Sequence, residues 1–257
     1  MKLSDIIREL ENEFPPALAE EWDNVGLLVG DTDAEIAKVL INLDVTDETV
    51  ARAEELGANL ILTHHPLIFK PLSRVTEQDF IARRIRRMIR ADINYYAMHT
   101  NFDLARMADL NALDLGLSDP EVLTETGHPG VGYGRIGTLP QPMTLRAFAE
   151  QVRTAADLPA IRVYGDAERL VRKAAVSSGA GKMSIPDALA KGADVLVTGD
   201  LDYHSAIDAN AQGLAMIDAG HYGTESTYIR FMESFVRERF PDLEVHTMEP
   251  RQPYLVL

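Results

Sequence analysis

Apolar positions recur at helical spacing over residues 3–13 and 144–156, so both segments predict amphipathic helices, and each is followed by a proline, Pro15 and Pro159. Short β-rich apolar runs at 38–43, 59–63, 93–98, 173–177, 194–198 and 214–217 predict buried strands. Helical segments at roughly 47–57, 77–91, 184–191 and 203–211 separate several of these runs. The alternation predicts an α/β fold, a largely parallel sheet covered by helices. Residues 118–142, rich in glycine and proline, are the expected connection between two halves.

The pattern also repeats. Gly57-Ala58-Asn59-Leu60-Ile61-Leu62-Thr63 lies over Gly192-Ala193-Asp194-Val195-Leu196-Val197-Thr198 without a gap, at an offset of 135. The same offset sets Leu28-Val29-Gly30-Asp31 over Val163-Tyr164-Gly165-Asp166 and Lys38 over Lys173. The expectation is an internal duplication: two similar halves containing βαβ units, 1–125 and 126–257, with about 218–257 packing against the first half. Open α/β sheets bind ligands beyond the carboxyl ends of their strands, so two such ends are expected to face a common cleft.

Composition narrows the chemistry. The formal charge of −15 disfavours nucleic-acid and anionic-membrane partners. The absence of cysteine excludes disulfides, a thiol nucleophile and thiolate metal sites, leaving histidine and carboxylates as the ligands for any metal. The charged, amphipathic start of the chain differs from a secretory signal, and no apolar stretch reaches membrane-spanning length, so the expected location is the cytoplasm.

Five of the seven histidines (64, 65, 99, 204 and 221) fall at or just beyond predicted strand ends. Neighbouring side chains on a strand point to opposite faces, so His64 and His65 are suited to two separate ions rather than one, and Pro66 ends the strand there. A two-metal site needs such terminal ligands plus bridging carboxylates, with ions roughly 3.5–4 Å apart. Asp103 and Glu225 are the carboxylate partners, and His221 precedes Glu225 by four residues, with Thr224 the expected N-cap of a helix over 225–239. His99 is open to three roles: orienting group, acid/base proton shuttle or ligand. His128 lies in a loop and His246 near the terminal strand, and neither reads as a ligand or catalytic group. Ser177-Ser178-Gly179-Ala180-Gly181-Lys182 lacks a full phosphate-loop pattern and reads as a turn, and the arginines between Arg83 and Arg90 read as a solvated or subunit-contacting face. Trp22, the only tryptophan, sits beside Asp23-Asn24, a pair that calls for a polar role.

The strings Trp22-Asp23-Asn24-Val25-Gly26, Thr63-His64-His65-Pro66, His99-Thr100-Asn101-Phe102-Asp103, Gly134-Arg135-Ile136-Gly137 and Asp218-Ala219-Gly220-His221-Tyr222-Gly223-Thr224-Glu225, in this order, resemble the Nif-three-like dinuclear metal-centre hexameric proteins, also called the GTP cyclohydrolase I type 2 family. The resemblance implies the compact form without an inserted domain, a toroidal homohexamer, and two divalent ions (zinc, iron, manganese or nickel) held by His64, His65, Asp103, His221 and Glu225, with Glu225 the bridge. It further implies a hydrolase whose metal-activated hydroxide attacks a purine nucleotide or similar small molecule. A metal-dependent phosphoesterase and a non-enzymatic metal carrier or regulatory scaffold are the alternative readings.

Overall fold

A computed structural model describes residues 1–248 and Tyr254. The chain divides into two compact units, the first made of Met1–Ala105 and Tyr228–Pro250, the second containing Arg106–Thr227. The division falls after Ala105, where the sequence reading set it at 125/126, because the glycine- and proline-rich segment is no linker. It forms a long antiparallel hairpin within the second unit.

The first unit opens with helix α1 (Leu3–Glu13), then strands β1 (Gly26–Val29) and β2 (Lys38–Asn42), helix α2 (Asp47–Leu56), β3 (Leu60–Thr63), α3 (Phe80–Arg90), β4 (Asn94–Ala97) and a short helix α4 (Thr100–Phe102). In α1, Leu3, Ile6 and Leu10 are buried at helical spacing, as the pattern requires. Thr46 caps α2 reciprocally with Thr49, and Gly57 ends it at φ 65°, the left-handed region where a Cβ is penalised.

The second unit comprises α5 (Ala108–Asp114), β5 (Ser118–Glu125), β6 (Gly132–Thr144), α6 (Leu145–Ala155), β7 (Arg162–Tyr164), β8 (Leu170–Val176), α7 (Ile185–Ala190), β9 (Val195–Thr198), α8 (Tyr203–Ala211), β10 (Ala215–Asp218) and α9 (Gly220–Glu225). The chain then returns to the first unit with α10 (Thr227–Arg239) and β11 (Glu244–Thr247).

The first sheet has the order β1-β4-β3-β2-β11 and the second β5-β6-β8-β9-β10-β7. In the first, β11, β2, β3 and β4 run parallel and β1 antiparallel at the edge. In the second, β8, β9 and β10 run parallel, with β7 antiparallel beside β10. The series β1-β4-β3-β2 and β7-β10-β9-β8 therefore have the same order and directions. Central strands are buried on both faces: in β9, Val195 and Val197 pack with Phe148 and Val152, while Leu196 faces Ala206, Ala209 and Met216. Such two-sided burial is why these strands read as unbroken apolar runs. Among the described residues, no helix is long and apolar enough to cross a membrane.

Candidate metal centre

All four residues of β3 are buried, and its ladder ends at Thr63. His64 and His65 follow in a turn, off the strand, so the opposite-face rule for strand neighbours does not govern them. Their rings lie 4.9 Å apart, tilted by 48°. The turn is built by hydroxyls: Thr63 Oγ1 and Tyr95 Oη each donate to the His65 carbonyl at 2.9 Å, and the Leu67 amide donates to Tyr95 Oη. Burial pushes the Tyr95 phenol above its ordinary pKa, so it stays a neutral donor.

At the end of the neighbouring β4, His99 precedes α4. Its ring centroid is 5.3 Å from that of His64 and 5.7 Å from that of His65, and one nitrogen from each of the three imidazoles lies within 4.8 Å of the others. Asp103 Oδ1 is 3.5 Å from His64 Nε2, at the start of a single π-helical turn, Asp103–Met107, a local irregularity common at functional sites.

The second unit supplies another cluster. Gly220, at φ 73°, turns the chain out of β10 into α9, which carries His221 and Glu225. His221 Nε2 is 3.2 Å from Glu225 Oε1, with Glu225 almost wholly buried. Thr224 is not a helix cap: it lies inside α9, accepts from the Gly179 amide and donates to the His221 carbonyl, both at 2.9 Å. His221 accordingly sits in a helical turn, and the longer helix, expected from 225, begins at Thr227.

Four of these imidazoles share one orientation. Each Nδ1 faces an oxygen that can only accept: His64 the Met98 carbonyl, His65 Asp44, His99 Asp23 and His221 Asp200, all at 2.9 Å. Nδ1 therefore carries the proton and donates, and Nε2 presents its lone pair. Metal-bound histidines are held in this way, by a carbonyl or carboxylate behind the ring. The nitrogen and oxygen donor set suits borderline and hard divalent cations and lacks any thiolate.

Asp23 answers the question of the polar pair beside Trp22. Its side chain is fully buried and accepts from His99 Nδ1, the Asn24 amide, and the Thr100 amide and hydroxyl. Burial works to raise its pKa, but the bonds from His99 and Thr100 prevail and hold it at about 2. Asp44 and Asp200 escaped the sequence reading as supports. The usable signal was positional, since Asp44 follows β2, and Asp200 follows β9, within two residues of the strand end.

The remaining candidates fall elsewhere. His204 lies on α8 against Tyr203, His128 is exposed, and His246 pairs with Glu244. The glycine-rich loop is a buttress: the Gly179 and Gly181 amides are taken by Thr224 and Thr198, and a Cβ on Gly179 would lie 2.6 Å from Glu225 Oε1. On α3, Arg84 and Arg87 pair with Asp47 and Glu54 of α2, and Arg86 with Glu77, consistent with a solvated structural face.

A model of the Duf34/NIF3 (NGG1p interacting factor 3) family matches residues 1–253. A "GTP cyclohydrolase 1 type 2 homolog" of Clostridium perfringens is 35% identical over 259 residues, covering 99% of each chain. One of the same name from Lactococcus lactis is 38% identical over 242 residues, covering 92% of each. Among solved structures, a Staphylococcus aureus hypothetical protein superposes with a TM-score of 0.93 at 29% identity, covering 100% of this chain and 99% of that one. Reduced HcgD from Methanocaldococcus jannaschii gives 0.84 at 32% identity, covering 97% and 98%.

Proposed function

Because the chain belongs to the Duf34/NIF3 family and its imidazoles are oriented as ligands, we propose that it is a dinuclear metal-dependent hydrolase in which His64, His65, Asp103, His221 and Glu225 hold two divalent ions. The observation that carries the reading is the set of Nδ1–H bonds that leaves Nε2 as the ligand atom of each imidazole. Behind these three ligand imidazoles, two of the acceptors are carboxylates, Asp44 and Asp200, which raise the basicity of the ring they hold. When bound, two divalent ions lower the pKa of water towards neutrality and polarise the bond under attack.

The protein's own residues do the rest. His64 is buried and held by Met98, so its ring cannot turn away from its ligating orientation. His99 is assigned as the acid/base: Asp23 holds its Nδ1 proton and stabilises the imidazolium that forms when Nε2 takes a proton from the attacking water, and the ring returns to neutral when it gives that proton to the leaving group. A buried carboxylate behind a histidine keeps one tautomer and stays ionised while the ring cycles. The relatives' name favours a purine nucleotide as substrate, and a homohexamer belongs to the same proposal.

The test is metal analysis of protein purified without chelator or histidine tag, followed by product analysis on nucleotides. The expected result is two divalent ions per chain, with formate released from GTP. Fewer than one ion per chain rejects the dinuclear reading. Phosphate in place of formate assigns the protein as a phosphoesterase, and neither product across a nucleotide panel favours the carrier reading.

A further inference from the structure

Trp22 and Phe69 are large aromatic side chains left 58% and 48% exposed, on two different loops of the first unit. Exposed aromatics usually lie on mobile chain, but these loops are tied. Asn24 Nδ2 donates to the Ile68 carbonyl at 2.6 Å, binding the Trp22 loop to the residue before Phe69. Asp23, next to Trp22, is anchored by His99 and Thr100. The two rings stand 5.8 Å apart at 57°, and each presents an edge contact to His99, at 6.1 and 6.4 Å. Both side chains thus remain about half exposed beside the imidazole assigned above as acid/base.

We infer that Trp22 and Phe69 form a stacking subsite for the planar heteroaromatic ring of the substrate, delivering that ring to His99. Two observations and one general preference select this occupant. The rings are held in place before any ligand arrives, so little ordering cost opposes binding. The two rings are flanked in sequence by the exposed charges Glu21 and Lys70, whereas the buried centre of a protein interface is depleted of charge. Stacking on aromatic faces favours a π-system over an aliphatic or purely anionic ligand. The inference rests on the hydrolase reading for what then happens to the ligand, though not for where it binds.

Trp22 is the only tryptophan in the chain, so its emission reports on this subsite alone. The experiment excites the indole of the full-length protein at its red edge and titrates GTP, ATP and ribose 5-phosphate, with metal content measured on the same samples. The expected result is saturable quenching by both nucleotides and none by ribose 5-phosphate. Phe69→Ala should weaken nucleotide binding roughly 5- to 100-fold, while metal content and melting temperature hold. Trp22→Phe, followed by equilibrium dialysis, should retain most of the affinity that Trp22→Ala loses. Equal quenching by ribose 5-phosphate, unchanged affinity in Phe69→Ala, or no quenching at all overturns the inference. So does emission already blue-shifted and shielded from acrylamide in the protein alone, which would mean that a second copy covers the ring. Intact quenching in protein that binds no metal rejects the dinuclear reading and upholds this one; full metal content without quenching does the reverse.

Discussion

Positions 64 and 65 hold two histidines, whereas the corresponding positions of the second unit, 199 and 200, hold glycine and aspartate. Both pairs follow a threonine that closes a buried strand, Thr63 in β3 and Thr198 in β9. In the first unit the imidazole stands on this strand end and its supporting carboxylate, Asp44, comes from beyond β2. In the second the carboxylate, Asp200, stands on the strand end and the imidazole, His221, comes from beyond β10. A His–Asp bond is thus made in both units, but the central strand end carries the imidazole in one and the carboxylate in the other. The partner comes from opposite neighbours: β2 in the first unit, and β10, the counterpart of β4, in the second. The frame accepts either assignment because it fixes where the strand ends lie, not which side chain each carries. Asp200 also sits at φ 51°, a region that aspartate tolerates better than most residues.

The largest effect is expected from removing one proposed ligand in each unit. His65→Ala and Glu225→Ala are expected to abolish binding of at least one ion each while the circular dichroism of the folded protein persists. Full metal content in both variants would end the ligand assignment. Next in size is Gly199→Ala. A Cβ there would lie 2.5 Å from the backbone of Gly220 and His221, so the variant should lose about 1–3 kcal/mol in denaturant unfolding. The corresponding His64 shows that the first unit has room for a full imidazole where the second has room for hydrogen only.

The supports come third. Asp44→Asn and Asp200→Asn should each weaken metal binding roughly 10- to 100-fold by equilibrium dialysis, leaving ligand count unchanged. Similar losses in both would show that the two His–Asp pairs are energetically equivalent. A loss in one alone would show that only one unit uses its His–Asp bond to orient a ligand. Smaller again is the acid response of Asp23. Its pKa is lowered from 3.8 to about 2, so its contribution to stability is complete above pH 4 and lost as pH falls towards 2. In metal-stripped protein, Asp23→Asn should flatten the pH dependence of unfolding across that window. An unchanged slope would remove the buried carboxylate from the account.

Much of this was legible from the residues. Helix 3–13 and the strands ending at Thr63 and Thr198 fell where periodicity put them, since central strands buried on both faces leave an unbroken apolar signal. The hairpin of β5 and β6 was missed because glycine and proline mark turns and bulges alike. Its register shifts between Ser118 and Glu121 and again opposite β8 between Thr138 and Met143, so the strands carry no clean alternation. Of the site, the imidazoles were visible as residues at strand ends, but their orientation was not. Which oxygen stands behind Nδ1 depends on contacts as distant in sequence as Asp23 with His99 and Asp44 with His65. No local pattern encodes those.

The finest test concerns the recurrence itself, at positions far from chemistry. Lys38 Nζ donates to the Leu56 carbonyl at the end of α2, and Lys173 Nζ to the Lys191 carbonyl at the end of α7. Asn59 Oδ1 accepts from the amides of Ala37 and Lys38, and Asp194 Oδ2 from those of Arg172 and Lys173. Gly57 and Gly192 leave the two helices at φ 65° and 70°. A cation at a helix C-terminus stabilises it by about 0.3–1 kcal/mol when exposed, more when partly buried. Lys38→Met and Lys173→Met should therefore cost about 1 kcal/mol each, and differ by less than about 0.5 kcal/mol. Lys38 has an additional partner in Glu244, but an exposed pair of this kind adds little, and salt will screen what it adds. Repeating both measurements in high salt should thus bring the two values together. If they separate instead, the lysines share a position in two similar sheets without sharing a physical role.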